Sequence, residues 1–364
     1  MPAATPIPIP SRIQTIREHH EAGGKVAAVY PIHYPRALFR AFGVLPVEVW
    51  GPPSADRNPA GAHLQVYVCS IVHCGLGFLL SGGLDIADLI VVPHACDSLQ
   101  GLGSLLLDFQ PPKQPVQPFY VPRGEGTAAT DFLVEELRAL YAFLAEHTGA
   151  APSDAEVMAC IEREERAGAA VVSLFAERRA LPLDNRAFYR VVRSREFLPA
   201  ERFLDLCEAT LASRTEPDNR AVPVVLSGIV PEPMEVLDAL SEAGAMVVAD
   251  DLACCGRRMY PAGSSTDPFR RMAERLLGSP PDCTRGTTVR ARLDHLRRLV
   301  EESGARAVVF YEPKFCEPEQ FYLPLQRDAL EADGIHTITI EVDIGDPLGM
   351  QAVTRIEALL ETVV

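Results

Sequence analysis

Apolar positions along the chain fall into two kinds of run. Short, continuous runs rich in β-branched residues occur at 25–32 (KVAAVYPI), 44–50, 65–68 (QVYV) and 87–92 (ADLIVV), and again at 222–226, 245–248, 305–310 and 337–342. Continuous rather than alternating apolarity is what a parallel strand needs when helices cover both of its faces. Between these runs the period becomes helical. Residues 11–24 close on Gly23-Gly24, and residues 35–43 open on Pro35 and end on Gly43, the end preferences of a helix. Further helices are expected at 232–243, 288–303, 324–332 and 350–363.

The middle of the chain differs. Phe132, Leu133, Leu137, Leu140, Tyr141 and Leu144 recur at helical spacing, Ser153 opens a second helix with Asp154 and Glu156 in its first turn, and residues 188–212 continue mostly helical. The order of elements before this segment is repeated after it, a faint internal duplication. The expectation is an α/β protein built of two doubly wound parallel-sheet domains of Rossmann or flavodoxin type. They face each other across a cleft: an N-terminal domain at 1–124, a helical segment at 125–215 that acts as subdomain or lid, and a C-terminal domain at 216–364.

Composition narrows the function. The chain has 364 residues, 48% of them hydrophobic, and 49 acidic against 34 basic side chains for a net charge of −15. That balance argues against a nucleic-acid backbone as partner. No apolar run reaches the roughly 18 residues of a membrane span, and residues 1–10 (MPAATPIPIP) read as a proline-stiffened arm rather than an export signal. A cytoplasmic protein is expected. Its 31 prolines, assigned to loops, are well above the usual level of roughly 5%. Its nine cysteines are then thiols or metal ligands, not disulfides.

Four of those cysteines, Cys69, Cys96, Cys254 and Cys316, each follow an apolar run within a few residues. Ligands of open parallel sheets sit beyond the carboxyl ends of the strands, so two facing halves gather these thiols in one crevice. Scattered single cysteines without CxxC pairs suit an iron–sulfur cluster held between domains better than zinc. Cys160 and Cys207 fall on apolar helix faces and read as core filler, while Cys74, Cys255 and Cys283 are open to either reading. His33, after the first strand, is positioned to hydrogen-bond a carbonyl or shuttle a proton, or to be a satisfied loop histidine. Glu317 adjoins Cys316, and His94 and Asp97 flank Cys96. Asp250-Asp251 is read either as site or as helix cap, Lys314 either as phosphate ligand or as solvated, and the basic stretch 290–298 chiefly as a solvated face.

At the cysteines the chain resembles the 2-hydroxyacyl-CoA dehydratase and benzoyl-CoA reductase family. The resemblance rests on Cys69-Ser70-Ile71-Val72 with Gly75-Leu76-Gly77, on 88–97 (DLIVVPHACD), on Asp250-Asp251 with Cys255-Gly256-Arg257-Arg258, on Lys314-Phe315-Cys316-Glu317-Pro318, and on Ile340-Glu341-Val342-Asp343. It covers most of the chain in order and is weakest across 125–215. It implies a [4Fe-4S] cluster held by Cys69, Cys96 and Cys316 with one iron open, His33 and Glu317 as acid–base candidates, and an acyl-CoA substrate dehydrated through a ketyl radical. The electron comes from a separate ATP-hydrolysing iron–sulfur activator, in keeping with the lack of a GxxxxGK[ST] loop here. A paralogous subunit, or a second copy, completes a dimer. Three alternatives stand beside this one: a benzoyl-CoA reductase-type enzyme; an ATP-dependent reductase with a double-cubane [8Fe-9S] cluster that uses Cys254 or Cys255, Cys283 and Cys74; and a non-catalytic accessory subunit.

Overall fold

The computed structural model describes residues 8–52, 55–124 and 126–363. Most of the N-terminal arm therefore lies outside the described residues. Among the described residues there are eight strands: β1 (Lys25–Val29), β2 (Val44–Glu48), β3 (Leu89–His94), β4 (Val116–Tyr120), β5 (Val222–Gly228), β6 (Ala245–Leu252), β7 (Ala307–Pro313) and β8 (His336–Val342). They form two four-stranded sheets of order β2-β1-β3-β4 and β6-β5-β7-β8. Every neighbouring pair is parallel. The chain thus makes the same sheet twice, with its first strand inside and its second at the edge, which is the doubly wound arrangement expected from the apolar runs.

Alternation along the inner strands explains why both faces are apolar. In β1, Val26 and Ala28 enter one core and Ala27 and Val29 another. In β7, Ala307, Val309 and Tyr311 join the same core as Val26, while Val308 and Phe310 face a third. One core therefore takes side chains from a face of each sheet. The central helices divide between cores: Leu133, Leu137, Leu140 and Leu144 of the helix Thr127–Thr148 cover the outer face of the first sheet, whereas Phe188, Tyr189 and Phe203 enter the shared core. Burying each such side chain contributes roughly 1.5–3 kcal/mol before entropy is counted. Ser153 closes a capping box with Glu156 at the head of Asp154–Ala176.

Three expectations need correction. Residues 65–68 are not a strand; they form a turn in which Val66 is 86% and Tyr67 58% exposed. The two open edges of the first sheet belong to β2 and β4, and this run pairs with neither. The fourth strand is instead Val116–Tyr120, masked in the sequence by Pro118, which an edge strand tolerates. Nor are the prolines confined to loops: Pro46 and Pro118 sit in edge strands, and Pro93, Pro223 and Pro313 in inner ones. The helix Ser70–Leu80 is apolar almost throughout, and Asp97–Ser104 is short and carries two glycines, so neither announces itself.

Gly228 ends β5 with φ of 145°, and a methyl group there would run into the carbonyl oxygen of Tyr311 on β7. Gly228→Ala is expected to destabilise the protein by on the order of 3 kcal/mol, through strain and forced separation of two paired strands. Denaturant unfolding at unchanged slope checks this, and a loss under about 1 kcal/mol would contradict it.

Candidate metal-binding and acid–base site

Cys69, Cys96 and Cys316 occupy one kind of position. Each is the residue immediately before a helix: Ser70–Leu80, Asp97–Ser104 and Glu317–Gln320 respectively. The first amides of a helix have no partner within it, so a side chain at this position meets N–H groups and the positive end of the helix dipole. The amides of Ile71 and Val72 and the hydroxyl of Ser98 favour the Cys69 thiolate, and the amides of Ser98 and Leu99 that of Cys96. Burial outweighs them. It raises the Cys69 thiol, pushes Cys96 up to about 12 and drives Cys316 well above the ordinary thiol range. Negative charge on Cys69 raises the other two as well, which brings the three thiols into one electrostatic neighbourhood. Cys96 and Cys316 follow β3 and β7 closely, as expected, whereas Cys69 follows a turn.

The remaining cysteines lie among other partners, although Cys74 also feels the charge on Cys69. Cys254 and Cys255 lie with their Sγ atoms 3.4 Å apart, and burial together with Cys254 drives the Cys255 thiol well above its ordinary range. Cys74 is buried on the helix that Cys69 heads, beside Arg57 and Gly345. Cys160 and Cys207 are buried in the helices expected to hide them. Cys283 is different. Its Sγ donates to Glu319 Oε1 at 2.7 Å, and its charge is felt by Cys316.

Around Cys283 lies a buried ion network that the sequence did not reveal. Arg257 reaches Asp251 at 3.3 Å, Asp282 at 3.5 Å and Glu319; Arg292 reaches Asp251 at 2.7 Å and Glu319 at 3.5 Å. Asp282, Cys283 and Glu319 place ligand atoms within 4.8 Å of one another. Two guanidinium groups already lie against that trio, so its charge is balanced without a metal ion. Arg292 belongs to the basic helix Val289–Ser303, in which Arg290 and Arg298 are exposed. The stripe is therefore a solvated face with one member turned inward. Asp250 does serve as a cap: its Oδ1 accepts from the amides of Leu252 and Gly256 at 3.0 and 2.7 Å, and burial raises it to about 6. Lys314 is exposed and pairs with Asp343.

His33 belongs to this network. It is fully buried, and both it and Ile32 hold left-handed backbone, with φ of 53° and 70°, a strain that non-glycine residues carry chiefly at functional sites. Its Nε2 lies 3.2 Å from Asp282 Oδ2 and 3.3 Å from Thr284 Oγ1, while Nδ1 is buried without a partner. Burial lowers the imidazole and the Arg257 guanidinium helps hold Asp282 ionised. With the Thr284 hydroxyl donating to Asp282 Oδ1 at 2.8 Å, the proton sits on His33 Nε2, donated to Thr284 Oγ1 beside the Asp282 carboxylate, and leaves a bare lone pair on Nδ1. Glu317 lies elsewhere: it is exposed at the first turn of its helix, and the carboxylate that turns inward is Glu319. A cavity of about 410 Å³ is lined by His94, Ala95 and Asp97, which bracket Cys96, and by Arg123 and Thr284. It is thus bordered by the residues on either side of Cys96 and by the residue that His33 touches.

Residues 31–363 match the family model described as 2-hydroxyglutaryl-CoA dehydratase, D-component. The chain is 28% identical to the lactoyl-CoA dehydratase subunit beta of Anaerotignum propionicum over 358 residues, covering 94% of this chain and 92% of that protein. It is 25% identical to the (R)-phenyllactyl-CoA dehydratase beta subunit of Clostridium sporogenes, covering 95% and 94%. It is 23% identical to one of the benzoyl-CoA reductase subunits of Thauera aromatica, covering 87% and 85%.

Proposed function

The chain belongs to the 2-hydroxyglutaryl-CoA dehydratase D-component family, and from that we propose that it is the beta-type iron–sulfur subunit of a cytoplasmic 2-hydroxyacyl-CoA dehydratase. The observation that carries this reading is the trio Cys69, Cys96 and Cys316: thiols from distant parts of the chain, two buried and one half-buried, each heading a helix, all raised by desolvation and two of them also by the charge on Cys69. Such a set is poorly suited to remain as free thiolates and well suited to bind a cation that reverses the electrostatic balance. The donors are thiols alone, the chemistry of an iron–sulfur cluster. A [4Fe-4S] cluster held by the three would supply one-electron reduction of an acyl-CoA thioester.

The chain's own groups would do the rest. The cavity beside Cys96 is the place for the thioester end of the substrate, with Arg123 at its rim. His33 Nδ1 would accept a proton or a hydrogen bond in surroundings that Asp282 and Thr284 keep fixed. Glu317, exposed beside Cys316, would exchange protons with solvent. The relatives are named as subunits, so a companion chain of similar fold is expected, together with a separate ATP-hydrolysing activator as electron donor. The benzoyl-CoA reductase relative supports a reductive variant of the same site as the second reading.

Iron and acid-labile sulfide per chain, measured on protein purified without oxygen, test the proposal. About four irons with a broad band near 400 nm are expected for a single cubane. About eight would replace it with a double cubane, and a chain that stays metal-free after reconstitution would overturn it. Water loss from 2-hydroxyacyl-CoAs, assayed with companion subunit and activator, then separates dehydration from ring reduction.

A further inference from the structure

A second cavity, of about 300 Å³, touches none of the cysteines. It is walled by β1 and β2, by the helix Arg12–Glu21, by the far end of Ser70–Leu80 and by the loop leading to β3. Its walls are apolar and belong to the interior: Ile16, Val47, Trp50 and Leu84 are each more than nine-tenths buried. Ile13, 47% exposed, and Arg12 mark its mouth.

The polar groups at one end of this cavity are already matched. Arg12 donates to Glu196 at 2.9 Å and to the carbonyl of Glu48; Arg193 pairs with Glu196 and Glu232. Glu48 is held by Arg258 at 2.6 Å and by the Trp50 indole N–H at 2.9 Å. These three arginines and three glutamates cancel, and among the described residues the wall presents no unpaired charge to a charged ligand. A cavity of this kind forfeits dispersion contacts while empty. Dry cavities of about half this volume already take up a single aromatic ring. We propose that this cavity is a binding site for an uncharged, apolar small molecule about the size of a bicyclic aromatic, entering past Ile13 and stacking on Trp50.

Trp50 is the chain's only tryptophan, which gives the test a built-in reporter. N-phenyl-1-naphthylamine, a neutral dye that absorbs where tryptophan emits, is titrated into the full-length protein, and into the assembled enzyme, while Trp50 emission is followed. Saturable quenching at one dye per chain is expected, with little from the sulfonated analogue 8-anilino-1-naphthalenesulfonate. Ala28→Phe, which fills the cavity from β1, should raise the half-saturating concentration by at least about tenfold with melting temperature and iron content unchanged. Ala87→Leu gives the same check from the opposite wall should the bulkier variant fold poorly. Absence of saturable quenching, equal binding of the sulfonate, or undiminished binding by both folded variants would overturn the proposal. So would a dye that binds the isolated chain and is shut out of the assembled enzyme, because the occupant would then be a side chain of the companion subunit.

Discussion

Cys316→Ser is expected to take the protein from about four irons per chain to less than about one, and to abolish the charge-transfer absorption that accompanies them. The reason lies in what the position offers. Cys316 is 8% exposed and its thiol is governed by Cys69, Glu319, Glu312 and Cys283. A serine hydroxyl there would have to ionise in the same dry, anionic surroundings, from a far weaker acid and with a harder donor atom. Two remaining thiols cannot anchor a cubane that three hold. The fold itself should be spared, because serine is a favoured residue at a helix start and the change in unfolding free energy should stay within about 1 kcal/mol. Cys207→Ser is the companion control. Cys207 is buried in the helix Ala200–Ala212, and its loss should leave the iron content as it was. Wild-type iron in Cys316→Ser, or equal loss in both variants, would remove Cys316 from the ligand set.

How much of this was legible in the chain depends on whether the signal is local. Parallel strands buried on both faces write continuous apolar runs, and all but one of the eight were legible as such; the exception, Val116–Tyr120, carries a proline that only its place at a sheet edge explains. The run at 65–68 has strand-forming composition but is placed in an exposed turn away from either sheet edge, a fact of tertiary placement that no window of residues contains. The same holds at the site. The cysteines were visible as residues, but their shared position at helix starts emerges only with the helices Ser70–Leu80, apolar almost throughout, and Asp97–Ser104, short and interrupted by two glycines. Glu317 attracted attention because it adjoins Cys316, yet a helical turn carries the side chain two positions later, Glu319, into the interior. Of the arginines that meet it, Arg292 comes from a stretch whose sequence reads as a solvated face, and Arg257 from a motif whose sequence does not say which acids it pairs with. Long-range charge pairing leaves no periodic trace, so the network was hidden while the strands beneath it were plain.

Arg257→Met is expected to destabilise the protein by about 3–5 kcal/mol, the cost of leaving a buried charge set uncompensated. Arg257 is fully buried, and its guanidinium is shared by Asp251, Asp282 and Glu319, with Cys283 alongside. Methionine fills much of the arginine stem's space, so loss of packing is the smaller part of the effect. What remains is three carboxylates, with Arg292 the cation still paired to two of them and His33 held neutral by burial. pH separates charge from packing. Arg257 keeps Asp251 and Asp282 below their ordinary range. Without it their folded-state affinities for protons rise, and a group whose folded pKa is raised contributes stability at low pH that is lost as pH increases. The gap between Arg257→Met and wild type should therefore be wider at pH 7 than at pH 5, whereas a packing defect would cost the same at both. Adding Glu319→Gln, which removes one of the stranded charges, should recover part of the loss at pH 7 even though it deletes a second native group. Urea unfolding of the two variants and the wild type at both pH values measures this. A pH-independent deficit, or a double variant weaker than the single one by the full additive amount, would show that Arg257 acts there as filler and not as the counter-charge.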